Sequence, residues 1–252
     1  MERIEEARML LAGSAVLVLT GAGISAESGV PTFRGAGGLW KQFRAEDLAT
    51  AEAFARDPRL VWEWYGWRRG LVASCRPNPG HRALARWMLS RPGVTLVTQN
   101  VDALHERAAR EAATALGVAP DPAYPIRLHG SIHHVRCTTC DFRAEHDGPV
   151  DATSVDTLPR CPHCEGLYRP DVVWFGESLP DAALAAAMAA AERADTCLVI
   201  GTAGAVQPAA GLAQAVARHG ALVVLDPGAT AFDDIADVKL TGAAGALLPK
   251  LL

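Results

Sequence analysis

Cys137, Cys140, Cys161 and Cys164 form two C-x-x-C pairs separated by 20 residues, the spacing of a zinc ribbon. Four thiolates close a tetrahedral site and leave no open position for water or substrate, so one structural Zn2+ is expected there. His163, between the second pair, reads as a solvated loop residue, and Cys75 and Cys197 are isolated in sequence. Paired thiols of this kind imply a reducing compartment rather than a disulfide framework. A second chemical signal, Gly21-Ala22-Gly23-Ile24-Ser25-Ala26, follows the apolar run AVLVLT and satisfies G-x-G-x-x-G/A. Its glycines permit a tight turn and close backbone approach to a pyrophosphate. Pro31, Gly35, Gly37 and Gly38 interrupt the helix and second strand that a dehydrogenase would build next, which disfavours hydride transfer. Thr98-Gln99-Asn100-Val101-Asp102 leaves the run VTLVT with polar side chains gathered at a strand end, and Leu128-His129-Gly130 closes another short apolar run. Taken singly, His129 reads rather as a hydrogen-bonded structural histidine, and Asp226, closing ALVVLD, as a turn residue ahead of Pro227.

The elements that must position these residues are legible from periodicity. Continuous β-branched runs at 15–20, 94–98, 196–201 and 221–226 read as parallel strands buried on both faces. Helical patterns lie at 2–12, 58–73, 80–90, 102–115, 181–193 and 208–219, several opening at proline. Strands alternating with helices predict an α/β protein, a Rossmann-like doubly wound parallel sheet, with a smaller domain made of a helical module and a zinc ribbon. The expected division is 1–32, 76–130 and 171–252 for the nucleotide domain, 33–75 for a loop and a helical module, and 131–170 for the ribbon.

The chain has 252 residues, 50% hydrophobic and 21% charged, enough apolar surface for a substantial core. A net charge of −4 gives no basic footprint, so no nucleic-acid partner is expected. The uncharged stretch 196–217 is interrupted by Gly201, Gly204, Pro208 and Gly211 and reads as strand, turn and helix rather than a membrane span. The opening residues MERIEEARML lack an apolar signal core, and a cytoplasmic monomer is expected.

Taken together and in order, GAGIS-AESGVPTFRG, TQNVDALHERA, LHGS, the paired C-x-x-C, RPDVVWFGE and GTAGAVQPAA resemble the sirtuins, the NAD-dependent protein lysine deacylases. The resemblance runs from about residue 12 to the end and is nearest to the desuccinylase/demalonylase-type, class III members, through GVPTFRGAGG, DLATAEAF and WEWYGWRR. It implies NAD as cofactor and acyl-lysine proteins or peptides as partners. Residue by residue, it implies that Gly21, Ala22, Gly23, Ile24 and Ser25 line the phosphates and that Phe33 and Arg34 sit on a cofactor loop. Gln99, Asn100 and Asp102 would contact nicotinamide and its ribose, with Gly201, Thr202, Asp226 and Ala244 on the rest of the cofactor. His129 would be the catalytic base, taking a proton from the ribose hydroxyl system, with Ser131 behind it. Val172, Val173, Phe175, Gly176 and Glu177 would pair with the substrate peptide by strand addition.

Tyr65 and Arg68, at i and i+3 of a predicted helix, share a face and could hold a distal carboxylate with a phenol and a guanidinium. On spacing alone, Tyr65 packing with Trp62 and a wet Arg68 account for them better. The resemblance implies selection of succinyl, malonyl or glutaryl groups. The chain departs from the family at Ala203 (usually Ser), Asp226 (usually Asn), Gly228 (often an acid), Ala109 (usually Gly) and a long stretch at 110–125. An ADP-ribosyltransferase or NAD hydrolase on the same site is the alternative enzyme, and a non-enzymatic ribbon module binding NAD or acyl-lysine the alternative without chemistry.

Overall fold

A computed structural model describes residues 2–31, the backbone of 39–40, and 43–252. Phe33 and Arg34 lie outside the described residues. Helix α1 (Glu2–Leu11) leads into strand β1 (Val16–Thr20) and a single helical turn, α2 (Gly23–Ala26). Two short paired strands, β2 (Leu39–Trp40) and β3 (Phe43–Arg44), precede α3 (Ala45–Leu48), α4 (Ala51–Arg56) and α5 (Pro58–Ser74). The segment 33–75 is therefore not helical throughout, as the sequence suggests, because an antiparallel pair precedes its helices. Asp57 caps α5, its carboxylate accepting from the N–H groups of Arg59 and Leu60 at 3.1 Å. Helix α6 (Pro79–Ser90) begins in the same way, Asn78 accepting from Gly80 and His81. A cap of this kind is worth about 1 kcal/mol, and proline at the first helical position loses no intrahelical bond.

Strand β4 (Val94–Thr98) is followed by α7 (Leu104–Leu116), which starts two residues later than periodicity predicts because Ala103 has φ +58°. Gly117, also left-handed, ends it, and a 3-10 turn at Asp121–Ala123 takes up the rest of the long 110–125 stretch. The chain continues through β5 (Ile126–Arg127), β6 (Gly130–Cys137), β7 (Arg143–Glu145), β8 (Tyr168–Val172), α8 (Asp181–Arg193), β9 (Thr196–Ile200), α9 (Ala209–Val216), β10 (Ala221–Leu225), β11 (Val238–Leu240) and α10 (Ala244–Leu251).

Six strands form one parallel sheet in the order β11-β10-β9-β1-β4-β5. From β1 the chain winds outward through β4 to β5, then returns to β9 and winds the other way. The strand order thus reverses beside β1, and ligands of such sheets sit at the carboxyl ends of the strands at that point. Alternate side chains serve opposite cores. Val16, Val18, Leu96, Leu198 and Val223 pack with α1, α6 and α10, whereas Leu17, Leu19, Val97, Val199 and Val224 pack with α8 and α9.

The second sheet, β7-β6-β8, is antiparallel. It shares a third core with α4 and α5, built on Phe54, Trp62, Trp64, Tyr65, Ile132, Val135, Tyr168 and Trp174. Helical module and cysteine-rich module are therefore one packed body. The Trp62 indole donates to Tyr168 O at 2.9 Å and Arg69 Nε to Ile132 O at 2.7 Å across that interface. Among the described residues no helix is long and apolar enough to cross a membrane.

Candidate active site and cysteine centre

The carboxyl ends of β1, β4, β5, β9 and β10 bring together Gly21, Gln99, Asn100, His129, Gly201, Thr202 and Asp226. The glycines are required by backbone approaching backbone. A Cβ on Gly23 would lie 2.6 Å from the Gly201 Cα, and one on Gly21 2.6 Å from the Thr202 Cβ. Gly201 has φ +60°, and its carbonyl accepts from the Gly23 N–H at 2.8 Å. The two loops thus pack backbone against backbone with no room for a side chain between them, and form one glycine cradle with Ala22, Thr202 and Ala203 partly exposed on it.

Beside the cradle lies a buried polar network. Ser25 Oγ donates to Asp102 Oδ2 at 2.7 Å, and Asp102 Oδ1 accepts from the Leu104 N–H at 3.0 Å. Asn100 Nδ2 donates to Gly21 O at 3.1 Å and Ser25 Oγ at 3.3 Å, and Gln99 Nε2 to Thr202 Oγ1 at 3.3 Å. Two histidines that sequence reasoning missed complete it. His81 Nε2 is 3.5 Å from Ser25 Oγ, and its Nδ1 is buried with no partner among the described residues. His105 Nε2 is 3.0 Å from Thr20 Oγ1, which donates to Thr98 Oγ1, which also accepts from the Asn100 N–H. Burial pushes His81 down to about 4 and His105 well below 6.5, so both are neutral. Their rings are 4.9 Å apart. No local pattern marks either residue, since α6 and α7 are joined to β1 only in the tertiary structure.

His129 is partly buried, with Nδ1 2.9 Å from Gln99 O. A carbonyl can only accept, so Nδ1 carries the hydrogen and Nε2 keeps its lone pair. Burial lowers its pKa from 6.5, partly offset by the Gln99 bond, which suits a neutral base. Ser131 is buried, its Oγ accepting from the His133 N–H.

The segment after β8 is fastened on both sides. Val173 N–H donates to His129 O and Phe175 N–H to Ala49 O, at 3.0 and 2.9 Å. Phe175 and Gly176 are exposed, but the Glu177 carboxylate is occupied. It accepts from both terminal nitrogens of Arg169, from Arg136 and from the Trp174 N–H. Glu177 therefore shapes this segment rather than offering its side chain to a ligand. Tyr65 is 1% exposed, shares the third core with Trp62 and meets Trp64 edge-on at 4.7 Å. The Arg68 guanidinium stands 4.9 Å from the Trp64 ring and 5.7 Å from that of Tyr65. Burial lowers its pKa, while Tyr65 and Asp102 oppose that shift; Asp102 belongs to the polar network beside the cradle. Asp226, partly buried just past β10, accepts from the Gly228 N–H through Oδ1 in a turn bond. Ala244 is buried at the start of α10, where its carbonyl abuts Gly80.

The four cysteines lie with their sulfurs within 4.8 Å of one another. The approaches Cys137–Cys164 (3.4 Å), Cys140–Cys164 (3.5 Å) and Cys140–Cys161 (3.7 Å) are far too long for disulfides. They come close to the edge of a tetrahedron with zinc–sulfur bonds of about 2.3 Å. Burial opposes charge on Cys137, but the Cys140 and Thr139 N–H groups bring its thiol down to about 6. The donor set therefore fits a closed structural zinc site. Cys75 and Cys197 are buried elsewhere.

An open parallel sheet with a glycine-walled crevice at its switch point, joined to a metal-ready cysteine module, defines a dinucleotide-site α/β protein. The Sir2 family model matches residues 21–208, and the chain belongs to the Sir2 family. It is 46% identical over 255 residues to the NAD-dependent protein deacylase of Pyrococcus furiosus, covering 98% of this chain and 96% of that one. It is 49% identical over 244 residues to the protein of the same description from Methylococcus capsulatus, covering 94% and 91%. Among solved structures, a Sir2 homologue–NAD complex superposes with a TM-score of 0.86 at 44% identity, over 98% of this chain and 91% of that one. A Sir2–p53 peptide–NAD+ complex gives 0.83 at 30% identity, over 100% and 97%.

Proposed function

We propose that the protein is an NAD-dependent protein-lysine deacylase whose cleft favours acidic acyl groups. His129 carries the deacylase assignment: a neutral imidazole with its tautomer fixed by Gln99 O, at the strand ends beside the glycine cradle. The crevice fits a dinucleotide because Gly21, Gly23 and Gly201 let two backbone loops close on each other at the switch point of the sheet, presenting backbone where phosphates bind. When bound, NAD supplies a ribose carbon with nicotinamide as leaving group, so that the acyl group passes from lysine to ADP-ribose.

This chain's residues then have distinct tasks. Asn100 and Asp102, held by Ser25 and the Leu104 N–H, orient the nicotinamide-ribose end. His129 Nε2 removes the proton from the ribose hydroxyl. The segment 173–176, exposed at Phe175 and Gly176, aligns the peptide, and its bond to His129 O fixes its distance from the base. Asp226, at the carboxyl end of β10, is assigned to a ribose of the cofactor. Zinc, on Cys137, Cys140, Cys161 and Cys164, maintains the small domain and takes no part in the reaction.

Acidic acyl selection rests on Tyr65 and Arg68 standing side by side, the guanidinium 5.7 Å from the Tyr65 ring. A matched panel of acetyl-, succinyl-, malonyl- and glutaryl-lysine peptides tests both levels. NAD-dependent loss of an acidic acyl group is expected to be fastest. Arg68→Met should lower kcat/KM on succinyl-lysine by about 2 kcal/mol, roughly 30-fold, and on acetyl-lysine far less, because only the former brings a carboxylate. Equal losses on both peptides would make Arg68 structural, and nicotinamide release independent of any acyl-peptide would indicate an NAD hydrolase.

A further inference from the structure

Trp174 lies buried between Phe54, at 5.4 Å between ring centroids, and the Arg169 guanidinium, whose central carbon is 3.2 Å from the indole centroid. Arg169 in turn holds Glu177 bidentately and donates to Val172 O at 2.9 Å, while Glu177 accepts from the Trp174 N–H at 2.8 Å. Backbone and ring of Trp174 are thus both clamped. From this fixed position the indole N–H donates to Tyr65 Oη at 3.0 Å. Tyr65 is buried, and burial keeps its phenol protonated. Its oxygen is the acceptor in that bond, so its own hydrogen must go elsewhere. Among the described residues nothing receives it. A buried donor without an acceptor is costly unless a ligand supplies one.

We infer that Trp174 is a positioning residue for the acyl group: by occupying the acceptor side of the Tyr65 hydroxyl, it turns the hydroxyl hydrogen toward the acyl chain in the cleft. Trp174 also adjoins Val173, whose N–H holds His129 O. The peptide segment, the acyl-contacting phenol and the base are thereby set by one rigid unit. The inference rests on the proposed deacylase assignment and adds Trp174 to it, acting through Tyr65.

The test is a double-mutant cycle with Trp174→Phe, which keeps a ring and deletes the N–H, and Tyr65→Phe, each alone and together. The readout is kcat/KM on succinyl- and acetyl-lysine versions of one peptide. Trp174→Phe is expected to lower the succinyl-to-acetyl ratio roughly 3- to 10-fold, the effect of one hydrogen bond, and to have little further effect in the Tyr65→Phe background. Equal losses on both peptides, or additive effects of the two substitutions, would overturn the inference. If the parent prefers acetyl-lysine, the acidic-acyl preference is excluded, and the cycle is read on the acetyl peptide alone, where coupling supports Trp174 and additivity overturns it. Should Trp174→Phe not fold, Glu177→Gln loosens the same clamp. It should raise the peptide KM and lower the parent's acyl preference while leaving the NAD KM unchanged, and an unaltered preference would refute the inference.

Discussion

Acidification should loosen this protein through His81 and His105 before its carboxylates titrate. In the unfolded chain each imidazole takes a proton near pH 6.5, whereas in the fold burial holds His81 at about 4 and His105 well below 6.5. The unfolded state binds more protons over that window, so stability is undiminished above about pH 6.5 and falls as the pH drops toward about 4. Between about pH 7.5 and pH 5, His81 alone gives up roughly 2 kcal/mol, and His105 an amount of the same size. Their rings, 4.9 Å apart, cannot both carry charge, which reinforces the effect. Against a domain stability of about 5–15 kcal/mol, the loss is large. Urea titrations of the parent and of His81→Asn and His105→Gln, each at about pH 7.5 and pH 5, measure it. Cysteine protonation at the metal site contributes equally to all three proteins and cancels in the comparison. Each variant should lose roughly 2 kcal/mol less on acidification than the parent. Parallel losses in all three would refute the neutral, buried assignment.

The remaining predictions concern the reaction and the two structural centres. His129→Ala should lower deacylation about 10²–10⁴-fold while NAD titration shows little change in affinity, and kcat/KM of the parent should hold constant above about pH 6.5 and fall below it, since the base must be unprotonated. Cys137→Ser, or zinc chelation, should unfold the small domain, read as a change in tryptophan fluorescence, to which Trp62, Trp64 and Trp174 contribute, and lost zinc rather than as a changed NAD affinity in folded protein. Gly23→Ala forces a methyl group to within 2.6 Å of the Gly201 Cα and should cost about 1–3 kcal/mol in thermal stability as well as weaken NAD binding, both checked on one purified variant.

Much of the scaffold was readable because it depends on local patterns. The runs VLVLT and VTLVT are apolar at each buried position except the threonine that closes each, and Asp57-Pro58 and Asn78-Pro79 announce helices that begin there. The cysteine spacing similarly places four thiols around one point. The β2–β3 pair was not readable, since two-residue strands leave no periodicity.

Within the site, sequence determined which chemistry could occur: a glycine turn after β1, polar residues after β4, a histidine after β5, a tyrosine and an arginine one helical turn apart. The resemblance implied only that the backbone around Glu177 pairs with a peptide, and tertiary structure decided where its carboxylate goes, folding Arg169 and Arg136 onto it. The same holds for Gly23, whose partner Gly201 is far along the chain, for the His81–His105 pair, and for the bond between Trp174 and Tyr65. Local spacing fixes which face of an element a side chain occupies. Which distant group satisfies its hydrogen bonds, and whether water is excluded around it, depends on how separate elements pack, and these set the tautomer of His129, the neutrality of His81 and the spare hydrogen of Tyr65.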